Sequence, residues 1–240
     1  MRAIKHSSSP VSTLGRRERK RELTRQAVYD AAVSLFVGHD ADAVTTQQIA
    51  DSADVSIGTV FNYAATKNEL FLMAYNSVFA DAITAGEQQL DGDQPPATTV
   101  EALHALLRPL LELCHGSDRA NLLRYHRELL FSDSNDRYRL QGIELVSQLE
   151  RSIARILLRG LGSTAASVDD APQPLADTVR SAARAVWAAV QFSVAMPEHT
   201  IDENVRFADA DEATVIRQID IIVRGLKTTA AYLPGSTSTS

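Results

Sequence analysis

His104, Cys114, His115 and His126 are the side chains best able to hold a metal, and their spacing argues against it. His104 and His115 stand eleven residues apart, and His126 falls in a separate helix-like run. No zinc-ligand pattern is formed, and these histidines read as core or surface residues. The chain also lacks a glycine-rich phosphate loop, a nucleophile elbow and any Ser-His-Asp or Cys-His arrangement. The expectation is therefore a protein with no catalytic residues, no cofactor and no metal. Cys114 is the only cysteine, so an intramolecular disulfide is impossible and a reducing cytoplasm fits best. The longest charge-free apolar stretch, Ala185 to Pro197, is too short for a membrane helix, which needs roughly 20 residues.

Recognition chemistry is concentrated elsewhere. The stretch TTQQIADSADVSIGTVFNYAATKNELF, Thr45 to Phe71, sets hydroxyls, amides and one glycine between regularly spaced apolar residues. Thr45 or Thr46 can cap a short helix reaching about Ala53, with Ile49, Ala50 and Ala53 on its buried side. Asp54 is the turn residue. Ser56 caps a second short helix ending near Tyr63, and Thr66 a third that carries Leu70, Phe71, Ala74, Tyr75, Val78 and Phe79. Short helix, tight turn, short helix is the pattern of a helix-turn-helix, whose second helix enters the DNA major groove. A glycine inside a helix costs about 1 kcal/mol relative to Ala, so Gly58 points to a close approach by something outside the chain. Charge agrees with this placement. Residues 1–25 carry eight Lys and Arg against two Glu, while the whole chain is at −6, so a basic end is joined to an acidic body.

With RQAVYDAAVSLF before it, the same stretch resembles the N-terminal DNA-binding region of the tetracycline-repressor (TetR) family of one-component regulators, over roughly Arg25 to Phe71. The resemblance implies that Thr46 and Gln47 open the supporting helix against phosphate. Ile57, Gly58, Thr59, Phe61 and Asn62 would face the groove, while Tyr63 and Lys67 would grip the backbone; Ser56, by its own chemistry, adds a hydroxyl able to hold phosphate at the start of that helix. Arg16, Arg17, Arg19 and Lys20 would add phosphate or minor-groove contacts. Ile57 and Phe61 have no hydrogen-bonding group and can touch only thymine methyls or sugar edges. Three positions depart from the family pattern. Asp54 stands where glycine is common, Phe61 where tyrosine is usual, and Ala64 where a bulky aromatic packs.

The remainder reads as helices without strand-like alternation: Val100 to Leu113, Asp118 to Phe131, Asp136 to Leu161, and two more after the breaker STAASVDDAPQP. The expected fold is all-α, with residues 1–16 a disordered basic arm, 17–65 the DNA-binding domain, 66–233 a larger ligand-sensing and dimerising domain, and 234–240 a disordered tail. Arg124, Tyr125, His126, Trp187, Gln191 and Phe192 are candidates to line a ligand cavity. Val179, Ala183, Val186 and Val190 on one helix, with Val215, Ile216, Ile219, Ile222, Val223 and Leu226 on the last, form apolar faces expected to build a homodimer interface. The function expected is repression from a palindromic operator, relieved by a small apolar effector. The alternative is a ligand-independent DNA-binding protein whose C-terminal helices assemble with a partner.

Overall fold

The computed structural model describes residues 15–92, 95–116, 118–195 and 212–233, and those residues form helices with no strand. The first is α1, Arg16–Phe36, followed by α2, Thr46–Ser52, α3, Ile57–Phe61, and α4, Lys67–Leu90. Each start is fixed by a side chain that satisfies an orphan amide. Thr45 forms a capping box with Gln48, its Oγ1 accepting from the Gln48 amide while Gln48 Oε1 accepts from the Thr45 amide at 2.7 Å. Ser56 accepts from the Thr59 amide at 3.2 Å, and Thr66 from the Glu69 amide at 3.1 Å. Asp54 takes φ +52° in the turn, a conformation that Asp tolerates better than most residues. The basic segment at Arg16 is already helical, so the expected arm stops one residue earlier than anticipated. Its residues 1–14, like the expected tail at 234–240, lie outside the described residues.

The larger part comprises α5, Thr99–His115, α6, Arg119–Phe131, α7, Arg137–Gly160, a 3-10 turn at Val168–Asp170, α8, Gln173–Ala195, and α9, Glu212–Ala231. Thr98 and Asp136 cap α5 and α7 with side-chain acceptors. The long α4 belongs to both cores. At its start Phe71 meets Phe36 of α1 edge-to-face at 5.6 Å, and farther along Phe79 meets Trp187 of α8 at 5.8 Å. Gly86 lets α4 and α5 touch backbone to backbone, because a Cβ there would sit 2.0 Å from the Leu106 carbonyl oxygen.

The faces assigned to dimerisation need correction. Val179, Ala183, Val186, Val190, Val215, Ile219, Val223 and Leu226 are all at most 5% exposed in the single chain, and Ile216 and Ile222 are half-buried. They are used up where α8 and α9 pack on each other and on α5 and α7. The wide apolar stripe of α9 therefore serves the chain's own core, and what remains outside is Ile221, 69% exposed, with Phe192 of α8, 59% exposed. Ile219→Asp is accordingly expected to lower the stability of the chain itself, by several kcal/mol, because an unpaired carboxylate would be buried. Urea unfolding of dilute protein measures this, and an unchanged midpoint would contradict the assignment of Ile219 to the core.

Candidate nucleic-acid interface

α3 is one and a half turns long and has two unlike sides. Val60 is fully buried beneath it, while Ile57 and Phe61 are 40% and 46% exposed. Large apolar side chains left bare on a short helix are costly to hydrate, and here they flank Gly58. A Cβ built on Gly58 would meet only Ser56 Oγ, at 3.8 Å. The chain's own packing therefore does not require glycine there, and the space it leaves faces outward. Asn62 caps the helix C-terminus and is exposed, and Thr59 Oγ1 shares a 2.9 Å hydrogen bond with Ser56 Oγ. On α2, Thr46 is half-buried, and Gln47 is exposed with its amide held by Asp51 at 2.7 Å.

The residues read as backbone grips are tied to the protein. Tyr63 OH donates to the Arg21 carbonyl at 3.1 Å, and Lys67 Nζ donates to the Asp42 carbonyl at 2.9 Å. Lys67 keeps further N–H donors on the same nitrogen. Arg16, Arg17, Arg19 and Lys20 are exposed along the first turns of α1, as a basic helix end and not an extended strand of chain. Ala64 is buried at 2% exposure. The link that a larger side chain would make by packing is made by hydrogen bonds one residue earlier. Tyr138 OH donates to the Tyr63 carbonyl at 3.0 Å, and Arg137 Nη2 donates to the same oxygen at 3.3 Å.

A second set of contacts was not foreseen in the sequence. Asp118 Oδ1 accepts from the Gly38 amide at 2.8 Å, Asp118 Oδ2 accepts from Tyr75 OH at 2.7 Å, and Asn121 Nδ2 donates to the carbonyl of His39 at 2.7 Å. Arg124, expected in a ligand cavity, instead pairs with Asp42 at 2.7 Å and lies 4.7 Å over the Phe71 ring. The start of α6 thus holds the α1–α2 connection. Its one sequence signal was Asp118 as a helix start, which said nothing of partners far away in the chain.

The other five candidate ligand residues divide. Tyr125, His126 and Trp187 form a continuous ring cluster, with centroids 6.2 Å and 5.9 Å apart, and Tyr125 OH donates to Asn76 Oδ1 at 2.7 Å. Gln191 is half-buried, and Phe192 lies on the outer surface of α8, away from that cluster. Among the described residues, His126 Nε2 and Trp187 Nε1 are buried and meet no hydrogen-bond partner. Burial pushes the His126 imidazole down from 6.5 to about 4. No group of three potential metal ligands occurs among the described residues.

An outward-facing short helix propped on a capped partner helix, behind a basic helix end, defines a helix-turn-helix protein. Residues 28–74 match the family model for bacterial regulatory proteins of the tetR family, and the N-terminal region belongs to that family. No curated protein matches the sequence. Among solved structures, the chain is similar to a tetR-family transcriptional regulator from Streptomyces coelicolor, with 18% identity, 88% of this chain and 84% of that one covered, and TM-score 0.55. It is similar to Thermus thermophilus FadR, a TetR family transcriptional repressor in complex with lauroyl-CoA, at 22% identity, 90% and 100% coverage and TM-score 0.55. A TetR transcriptional regulator from Rhodococcus sp. RHA1 matches at 16% identity, 85% and 97% coverage and TM-score 0.51. The similarity in all-helical fold thus covers 85–90% of the chain and reaches well beyond the matched N-terminal region.

The buried imidazole makes stability depend on pH. Its folded pKa is depressed, so between 6.5 and about 4 the unfolded chain binds a proton that the folded chain does not. Stability from this group is full above 6.5 and falls as pH drops, by up to roughly 3 kcal/mol. His126→Phe should flatten that part of the pH profile in urea titrations, whereas parallel profiles for the two proteins would contradict a neutral buried imidazole.

Proposed function

We propose that the protein is a transcriptional repressor that binds a palindromic operator as a homodimer and leaves it when a small, largely apolar effector binds the larger domain. The observation that carries this reading is α3, with Ile57 and Phe61 bare on either side of an unfilled space at Gly58. DNA is the partner whose backbone and base edges fit such a surface. Neither Ile57 nor Phe61 can hydrogen-bond a base, so preference would rest on thymine methyls and groove shape. Ser56, Thr59, Asn62, Thr46 and Gln47 supply hydroxyls and amides at its margins, and Arg16, Arg17, Arg19 and Lys20 the charge. Tyr63 and Lys67, anchored to Arg21 and Asp42, would present any phosphate contact from a fixed frame.

The proposed dimer uses the outer face of α8 and α9. Ala185, Ala189, Phe192, Gln218, Ile221 and Ile222 line a shallow depression of about 350 Å³ that is almost wholly apolar. A two-fold axis through this face would bury it against its own copy and present two reading helices to successive grooves. The effector reading is supported by His126 Nε2 and Trp187 Nε1, which are buried and meet no partner among the described residues; such atoms are rare, and an effector could satisfy them. That a structurally similar repressor carries lauroyl-CoA fits an apolar occupant. Release would be a population shift, in which the effector binds the arrangement whose reading heads are wrongly spaced. No described helix is long and apolar enough to cross a membrane, and we place the protein in the cytoplasm with its operator.

Fluorescence anisotropy with selected and random duplexes at two salt concentrations tests DNA recognition. Selected duplex should bind more tightly, and equal affinity for both would overturn specific recognition. Lys67→Ala should weaken all duplexes alike and reduce the salt slope by about 1, whereas Phe61→Ala should cost about 1 kcal/mol at particular bases only. The reverse pattern would mean that α3 is not the reading helix. Ile221→Asp, on an exposed position, should leave the fold intact while dissociating the dimer in sedimentation. A folded variant still dimeric at micromolar concentration would move the interface elsewhere.

A further inference from the structure

Between the two parts of the molecule runs a groove of about 470 Å³, lined from α1 by Arg25 and Tyr29, from α4 by Met73 and from α7 by Arg137, Tyr138 and Gln141. That volume suits a drug-sized molecule. Tyr29, Tyr138 and Met73, with Leu145 on the next turn of α7, give flat apolar walls. Its charges are unequal. Arg25 is held in place by Glu22 through Nε and Nη2, which leaves Nη1 without a partner among the described residues. Arg137 lies 4.5 Å over the Tyr138 ring and commits Nη2 to the Tyr63 carbonyl and the Tyr138 hydroxyl, leaving Nε and Nη1 uncommitted among the described residues. The one carboxylate on the wall, Glu144, is already paired with Arg151 at 2.7 Å. Asn76 is spent as well, its Nδ2 donating to the Tyr138 carbonyl at 2.8 Å and its Oδ1 accepting from Tyr125. Two guanidinium groups with spare donors thus face the groove, Arg25 already paired with Glu22 and Arg137 with no carboxylate partner among the described residues.

The geometry points to a binding site for a small aromatic anion, a carboxylate or sulfonate on a flat ring, in the groove between α1, α4 and α7. Its ring would lie among Tyr29, Tyr138 and Met73, and its charge would meet Arg25 and Arg137. This site is separate from the His126 and Trp187 cluster. Its existence does not depend on DNA binding, although its position does give it a consequence for that reading. An anion that recruits Arg137 competes for the guanidinium now holding the Tyr63 carbonyl just behind α3.

Gln141 is exposed, and Gln141→Cys places a thiol on the groove wall without disturbing the core. Cys114, the only native cysteine, is buried, and burial pushes its thiol up to about 12, so alkylation by iodoacetamide reads position 141 alone. The probe is 1-naphthoate, with 1-naphthalenemethanol as its uncharged counterpart. Naphthoate is expected to protect the thiol saturably, the alcohol about tenfold less well, and Arg25→Met in the same background to raise the half-protecting concentration by about three- to tenfold. Circular dichroism melts confirm that each variant is folded. Absence of protection at millimolar naphthoate, or equal protection by acid and alcohol, would overturn the site. Because no DNA is present, neither result bears on operator binding.

Discussion

Asp118 sits at 7% exposure where two segments distant in the chain meet the start of α6, and its carboxylate accepts from all three. The Gly38 amide comes from the end of α1, the Tyr75 hydroxyl from α4, and the Asn121 side chain from α6 itself. Gly38 offers its amide there because it takes φ +77°, a left-handed conformation that turns the chain sharply after α1. Burial, with Asp118 beside it, raises the Tyr75 phenol far above its ordinary range, so it stays a neutral donor. A buried acceptor with several donors is stable as a set and costly to break singly, since each group left behind is unpaired and away from water. The position of the small N-terminal bundle on the larger one rests on this polar junction together with the Phe36, Phe71 and Tyr75 rings packed around it.

From that junction the rest of the reading head follows by short steps. Phe36 and Phe71 hold α1 to α4, and Ile49, Ala50 and Val60 fill the space beneath α2 and α3. On the opposite flank, Arg137 and Tyr138 reach the Tyr63 carbonyl. The two attachments come from different helices of the larger domain, α6 on one side and α7 on the other. Gly142 of α7 meets Leu129 of α6 so closely that a Cβ would lie 2.5 Å from a Leu129 methyl, and the two helices cannot slide past each other freely there.

Much of this was legible in the sequence, for reasons that are local. Thr45, Ser56, Thr66, Thr98 and Asp136 mark helix starts because capping uses a side chain and an amide two or three residues away. Asp54 could be read as the turn for the same reason. The helix-turn-helix was legible because all its partners lie within one short stretch. What failed was the choice among faces. The stripe through Val215, Ile219 and Val223 announces burial, but periodicity does not say whether the cover is the same chain or another copy. Ile221, the residue that interrupts the pattern, is the one left outside, at 69% exposure. The same limit applies to Arg124, whose partner Asp42 lies 82 residues away in the chain, and it hid the partners of Asp118 and Arg137. Long-range polar contacts leave no period.

Trp187, the sole tryptophan, is 3% exposed between Phe79 and His126, with its indole N–H meeting no acceptor among the described residues. The protein's tryptophan emission is consequently a local signal from the interior of the larger domain, blue-shifted by its dry surroundings and placed beside the His126 imidazole, which burial keeps neutral. The N-terminal bundle has no tryptophan. Its partial opening would pass unseen at the tryptophan wavelength, so unfolding curves read from tryptophan emission describe the domain that carries α8 and not the one that carries α3.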